Sequence, residues 1–548
     1  MKYRLLFLAC LIAWHVQAQT TAQPNTVARP KLVVGIVIDQ MRWDYLYRYY
    51  DVFSANGGFR RLMNYGYSCE NTMIPYTPTV TAAGHTCIYT GSVPSIHGIV
   101  GNDWYDRNTN TDVYCTTDNS VHTIGPGSAN AGAMSPENML VTTITDELRL
   151  ATNFRSKVIG IAIKDRGAIL PAGHAANAAY WYDGKTGNFI TSSYYKMNAL
   201  PAWVENFNNR KIVDSLYRLN WDIYLPRQVY STYCSDDDVA YEGKFSRNGS
   251  KAFPHQLDMF AGNDYSRVSY TPYGNNLTAE MAKAAVINEK LGKSGVTDFL
   301  AVSFSSPDYI GHTFGPNSWE ELDNYARLDA LLGNFFSFLD AQVGKGNYTV
   351  FFTADHGVAH VPGFLKEHNI PAGTFNDSTA ISNINHIIKD KTGTDSVVIG
   401  MYNYQVCFDH QRIKSQNLDV KKLKFLTIQY LLHDSAVSQA FDARQVMTQP
   451  LNEVQRKMFV NGYNQQRSGD VQFILKPGYI DGFATGTTHG LWNPYDSHIP
   501  LLWYGWGIKH GKTNTETYMT DISATIAALL HIQMPSGCVG KVITDIMK

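Results

Sequence analysis

Apolar residues fall along this chain in short unbroken runs separated by amphipathic stretches. Lys31-Leu-Val-Val-Gly-Ile-Val-Ile-Asp39 is a continuous β-branched run that ends on an acid. Such a run fits a strand covered on both faces of a parallel sheet, where in-out alternation is lost. Lys157–Ile163, Thr297–Phe304 and Asn347–Thr353 share the pattern, and Ile499–Tyr504 returns to it. Between them the spacing predicts helices near Arg42–Tyr50, Gly57–Tyr65 and Ala82–Thr90, then over Leu277–Leu291, Ser318–Gln342 and Asp521–His531. Ser135-Pro-Glu137 reads as an N-cap followed by proline at the first helical position, opening a helix to about Thr152. Tyr180–Ile190 alternates and turns on Asp183-Gly184, a hairpin signature. Strands alternating with helices predict an α/β fold with a central, mostly parallel sheet flanked by helices.

Two stretches interrupt this rhythm. Residues 190–275 are aromatic and weakly periodic, and residues 376–475 mix helices with short strands. Both are expected to be cap segments inserted into one catalytic domain over 31–548. Residues 19–30 form a polar leader. Residues 1–18 read as a secretory signal peptide: Lys2 and Arg4, an apolar run from Leu5 to Trp14, and a small-residue cleavage site at Val16-Gln17-Ala18. The protein is therefore expected in the periplasm or outside the cell.

The chain has 548 residues, 44% hydrophobic and 17% charged, which fits a globular protein. Signal removal leaves 44 basic and 47 acidic residues, so no basic excess points to nucleic acid or a membrane surface. No later run is apolar for long enough to span a bilayer. A monomer acting on small molecules is expected. Six cysteines remain after cleavage, none in a Cys-x-x-Cys pair, which argues against cysteine-held zinc. Export permits disulfides, and buried thiols with one or two bridges are expected.

Open α/β sheets bind ligands at the carboxyl ends of their strands. Asp39 follows the first run, Asp308-Tyr-Ile-Gly-His312 the third, and Asp355-His356-Gly357 the fourth. His489, in Gly486-Thr-Thr-His-Gly490, is a sixth candidate. Asp308 and His312 stand at i and i+4, neighbours on one helical turn. Mixed carboxylate and imidazole donors suit zinc, and six donors suffice for two three-ligand sites, each with an open position. Two metals ~4 Å apart can clamp both oxygens of a phosphoryl transfer. Thr77, Thr79 and Thr81 all precede a helix start, and each is a nucleophile only if activated. His85, His97, His174 and His360 are read as buried imidazoles or as partners behind the metal ligands.

Asp39 after its strand, Thr81-Ala-Ala-Gly-His85, Gly98-Ile-Val-Gly-Asn102, Asp308–His312, Thr353-Ala-Asp-His-Gly357 and His489-Gly490 together resemble the alkaline phosphatase superfamily. The resemblance runs from about residue 31 to the C-terminus. It implies an alkaline-phosphatase-like fold with two zinc ions, one on Asp308, His312 and His489, the other on Asp39, Asp355 and His356. It also implies that Thr81 is the nucleophile and that Asn102 binds the phosphoryl oxygens.

Within that superfamily Ile163-Lys-Asp-Arg-Gly-Ala-Ile-Leu-Pro-Ala-Gly-His174 is similar to the PafA-type bacterial phosphate monoesterases. There the counterparts of Lys164 and Arg166 touch the phosphoryl group. The implied activity is broad hydrolysis of phosphate monoesters through a phosphothreonine. Related phosphodiesterases and nucleotide pyrophosphatases share the threonine, asparagine and metals but lack this pair, and they form the alternative. A non-enzymatic binder on the same scaffold is a third reading. No Cys-x-Pro-x-Arg run is present, which argues against a formylglycine sulfatase.

Overall fold

The computed structural model describes residues 27–245, 250–482 and 484–548. The signal-peptide expectation lies outside the described residues. The four apolar runs form the parallel heart of an 11-stranded sheet. They are β1 (Leu32–Ile38), β2 (Val158–Ala162), β3 (Asp298–Phe304) and β4 (Tyr348–Thr353), lying in the order β4-β1-β3-β2. Every residue of the four is buried, which is why none of them alternates. Ala178–Asp183 continues the parallel set beyond β2. The flanks turn antiparallel: β5 (His498–Gly505) pairs with β4, and Tyr67–Met73 with β5. The predicted hairpin forms, with Ala178–Asp183 against Asn188–Ser192.

Strand register sets the site. Thr353, Val37, Ser303 and Ala162 stand in one row across the four parallel strands. The residues just beyond that row are therefore side by side at the carboxyl edge: Asp39, Lys164, Asp308 and Asp355. Helix α1 (Thr81–Thr90) lies over this edge. A Cβ at Gly84 would stand 2.4 Å from the Asp355 carbonyl oxygen, so glycine is what lets the helix settle there. Helix α2 (Asp165–Ala172) follows β2, α3 (Ser306–Phe314) follows β3, and α4 (Trp319–Leu339) starts at a Ser318 cap whose hydroxyl accepts from the Glu321 N–H.

Several expectations are corrected. The helix predicted from Ser135 begins only at Ile144, where Thr143 and Asp146 form a reciprocal capping box. Ser135 instead runs alongside Thr116, its N–H donating to the Thr116 carbonyl. The Arg42–Tyr50 helix shrinks to Tyr45–Arg48. All six thiols of the described residues, Cys69, Cys87, Cys115, Cys234, Cys407 and Cys538, are free, where one or two bridges were expected.

Residues from the 190–275 stretch, Val204, Tyr217, Trp221 and Phe253 among them, join the main apolar cluster. Residues 373–475 hold a cluster of their own, built on an antiparallel four-stranded sheet. No helix among the described residues is long and apolar enough to cross a membrane.

Candidate active site and metal centres

Six side chains from strand ends far apart in sequence meet in two trios. Asp39, Asp355 and His356 form an inner trio, and Asp308, His312 and His489 an outer one, with donor atoms within 4.8 Å of one another in each. The inner trio is fully buried. In the outer trio the His312 side chain is 35% exposed, so this trio opens towards solvent. The His356 and His489 rings stack at 3.5 Å between centroids, which sets the two trios side by side.

Each imidazole is oriented through its far nitrogen. Nδ1 of His312 donates to the Thr487 carbonyl at 2.8 Å, Nδ1 of His356 to Gly357 at 2.9 Å, and Nδ1 of His489 to Thr79 at 2.7 Å. A ring whose Nδ1 carries the proton keeps an Nε2 lone pair for a metal. Those Nε2 atoms face carboxylates: His312 lies 3.2 Å and His489 3.5 Å from Asp308, and His356 lies 3.5 Å from both Asp39 and Asp355. Asp39 Oδ1 and Asp355 Oδ2, the two oxygens facing His356, have no hydrogen-bond partner though buried. Buried oxygens without partners beside imidazole lone pairs are what a cation would satisfy. The donor set therefore fits a metal in each trio.

The electrostatics agree. Burial, and then the charge of Asp355, push the Asp39 carboxyl well above the usual carboxylate range. Burial also raises Asp308, but His312 and Lys164 outweigh it and hold that carboxyl well below the range. Burial pushes His356 down to about 3. Three buried carboxylates meet one buried ammonium, that of Lys164.

Lys164 Nζ bridges the trios, 2.7 Å from Asp39 and 2.5 Å from Asp308. Burial works against its charge, and Asp308 and Asp39 more than compensate, raising its pKa. Arg166 is held two residues on, its guanidinium donating to the Tyr114 hydroxyl at 3.1 Å. That hydroxyl donates to Asp165 at 2.5 Å.

Of the three threonines, Thr77 and Thr79 donate to the carbonyls of Gly490 and Leu491. Thr81, buried at the first position of α1, has its hydroxyl 3.5 Å from His356 Nε2. Beside it, Asn102 Oδ1 accepts from the Ala82 N–H at 2.9 Å. That bond leaves the Asn102 amide nitrogen as a donor at the helix start. His85 stands behind the inner trio, its Nδ1 3.3 Å from Asp355 Oδ2. His97, His174 and His360 are hydrogen-bonded elsewhere.

Sequence reasoning missed Gln40. Its N–H donates to Asp355 at 3.1 Å and its side chain to Asp308 at 2.7 Å, tying the trios together. It sits at φ 69°, and its only sequence signal is adjacency to Asp39.

The family model for type I phosphodiesterase / nucleotide pyrophosphatase matches residues 33–492. The chain belongs to this family. Curated relatives named alkaline phosphatases match it at 47–50% identity over nearly the whole chain, and within the family the chain is an alkaline phosphatase of the PafA type. It is similar to alkaline phosphatase PhoV of Synechococcus elongatus, 50% identical over 100% of both chains. It is 47% identical to alkaline phosphatase PafA of Elizabethkingia meningoseptica over 95% of each chain. The crystal structure of PafA superposes on this phosphatase with a TM-score of 0.93, covering 96% of this chain and 100% of that one. A relative from Myroides odoratus, 48% identical over 98% of this chain and 97% of its own, bears the name calcium-transporting ATPase.

Proposed function

We propose that this phosphatase hydrolyses phosphate monoesters through a covalent phosphothreonine on Thr81, with one zinc ion in each trio. The observation that carries the reading is the 3.5 Å approach of Thr81 Oγ1 to His356 Nε2 at the start of a helix. Mixed imidazole and carboxylate donors favour zinc over calcium or magnesium, which prefer oxygen. Two such cations would supply Lewis acidity, lowering the pKa of the Thr81 hydroxyl and neutralising the departing alkoxide. Thr81 Oγ1 attacks phosphorus opposite the leaving oxygen, so the new P–O bond forms as the ester bond breaks. Water then cleaves the phosphothreonine, releasing phosphate and restoring the hydroxyl. The outer trio, open at His312, is the side from which leaving group and water pass.

Asn102, Lys164, Arg166 and a backbone N–H near Thr81 at the start of α1 hold the non-bridging oxygens. A monoester dianion carries more charge on those oxygens than a diester monoanion. Two added cations therefore favour the monoester transition state. A solved variant of PafA, 46% identical to this chain, replaces a threonine, an asparagine, a lysine and an arginine. Their separations along that chain are those of Thr81, Asn102, Lys164 and Arg166, which supports giving these four the working roles. The N-terminal charge and apolar run support export to the periplasm or beyond.

The test compares a nitrophenyl phosphate monoester with the bis-nitrophenyl diester on zinc-loaded enzyme. A higher kcat/KM for the monoester is expected; preference for the diester would favour the phosphodiesterase reading suggested by the family name.

A further inference from the structure

A two-residue hairpin tip from the small sheet reaches the site from outside the catalytic constellation. Val398–Tyr402 and Gln405–Phe408 are joined by Asn403 and Tyr404, both left-handed, at φ 57° and 61°. That is the geometry of a tight hairpin turn that asparagine tolerates. Each tip residue touches one side of the active site.

Asn403 Nδ2 donates to the Asp103 carbonyl at 3.0 Å. A Cβ at Gly101 would stand 2.3 Å from the Asn403 amide, so the two are in direct contact. Asn403 thus grips the residues on either side of Asn102. Tyr404 donates its hydroxyl to the His489 carbonyl at 3.2 Å, and a Cβ at Gly490 would meet its ring at 2.9 Å. Tyr404 thus grips His489 and the residue after it. The tip is itself fixed, because the Tyr404 carbonyl accepts from Gln472 Nε2 and from the Phe473 N–H. Leu491, just past His489, belongs to the apolar cluster of the small sheet, and the Tyr404 ring packs against the same cluster.

We propose that the Asn403–Tyr404 tip is a positioning element that holds Asn102 and His489 in common register. This sets the phosphoryl-oxygen donor against one metal ligand. It rests on the reading above, in which Asn102 binds phosphate and His489 binds metal. The small sheet then acts as a brace for the chemistry.

The experiment is a double-mutant cycle on zinc-loaded, full-length enzyme. Asn403→Gly removes the amide while suiting the left-handed backbone, and Asn403→Asp removes the donor should the glycine variant fold poorly. Asn403→Gly is expected to lower kcat/KM for nitrophenyl phosphate by roughly 2- to 30-fold and to weaken inhibition by inorganic phosphate in proportion. On an Asn102→Ala background the same change should cost nothing further. Equal losses on both backgrounds would overturn the proposal. If Asn102→Ala alone costs nothing, the fault lies with the reading of Asn102 instead. Tyr404→Phe is expected to speed zinc release to a chelator, with Asn403→Gly leaving that rate unchanged. A Tyr404→Phe release rate equal to that of the parent would also overturn it.

Discussion

The Thr81 hydroxyl lies 3.5 Å from His356 Nε2, whereas the hydroxyls of Thr77 and Thr79 are spent on backbone carbonyls. Of the three threonines, only Thr81 is placed where it would meet a metal held by the inner trio. Thr81→Ala is expected to reduce turnover by about 10³-fold or more, with zinc content unchanged by elemental analysis. Thr81→Ser, which keeps a hydroxyl, should retain measurable activity. An alanine variant within tenfold of the parent would remove Thr81 from the mechanism.

The Lys164 ammonium contacts one carboxylate of each trio, and in the proposed mechanism it also answers charge on the phosphoryl oxygens. Lys164→Ala with Arg166→Ala should depress kcat/KM for a monoester far more than for a diester, because the charge they answer is larger on the dianion. Equal losses on the two substrates would contradict that argument. The Lys164 change should also lower the melting temperature of metal-free protein, where Asp39 and Asp308 lose their shared counterion.

The parts of the site legible in the sequence were those tied to strand ends. Asp39, Asp308 and Asp355 each follow an unbroken apolar run, and register across the sheet brings such residues together whatever their distance in sequence. The parallel core was legible for the same reason: loss of alternation is a local signal. Gln40, Tyr114 and Tyr404 were not legible, because each acts through a contact fixed by tertiary packing and carries no motif. The helix misplaced at Ser135 shows the competition at short range. The reciprocal bonds of Thr143 and Asp146 satisfy two helix-end donors, whereas the Ser135 hydroxyl accepts only from the nearby Glu137 N–H. The free thiols show that an expectation of export is not enough to place a disulfide: cysteines must also be brought face to face by the fold.

Metal removal should destabilise this fold as well as silence it. The inner trio leaves two buried carboxylate oxygens without partners, and a cation bound there would satisfy both. A ligand at 1,000 times its Kd adds about 4 kcal/mol of stability per site. Chelation is therefore expected to lower the melting temperature by several degrees, and added zinc should restore it more fully than magnesium or calcium. An unchanged melting temperature after verified zinc loss would show that neither trio holds the ion.

His174 offers a pH test clear of the metal ligands. It ends the segment that carries Lys164 and Arg166, its Nδ1 3.1 Å from Asp146 and its Nε2 3.0 Å from the Met139 carbonyl. Burial works to lower its pKa, but the hydrogen bond and charge of Asp146 prevail and raise it above the ordinary 6.5. A histidine whose folded pKa is raised binds its proton more tightly when folded. Its stabilisation is complete below the unfolded value of 6.5 and fades as pH rises through the folded value. Asp146, held below its ordinary value, is ionised in both states across that window and does not contribute to the change. The gap in urea midpoint between parent and His174→Gln should therefore be wider at pH 5.5 than at pH 9. Zinc lost at the lower pH weakens both proteins alike and cancels in the difference. A gap that does not vary with pH would mean that His174 is neutral in the fold and that Asp146 does not hold it as a cation.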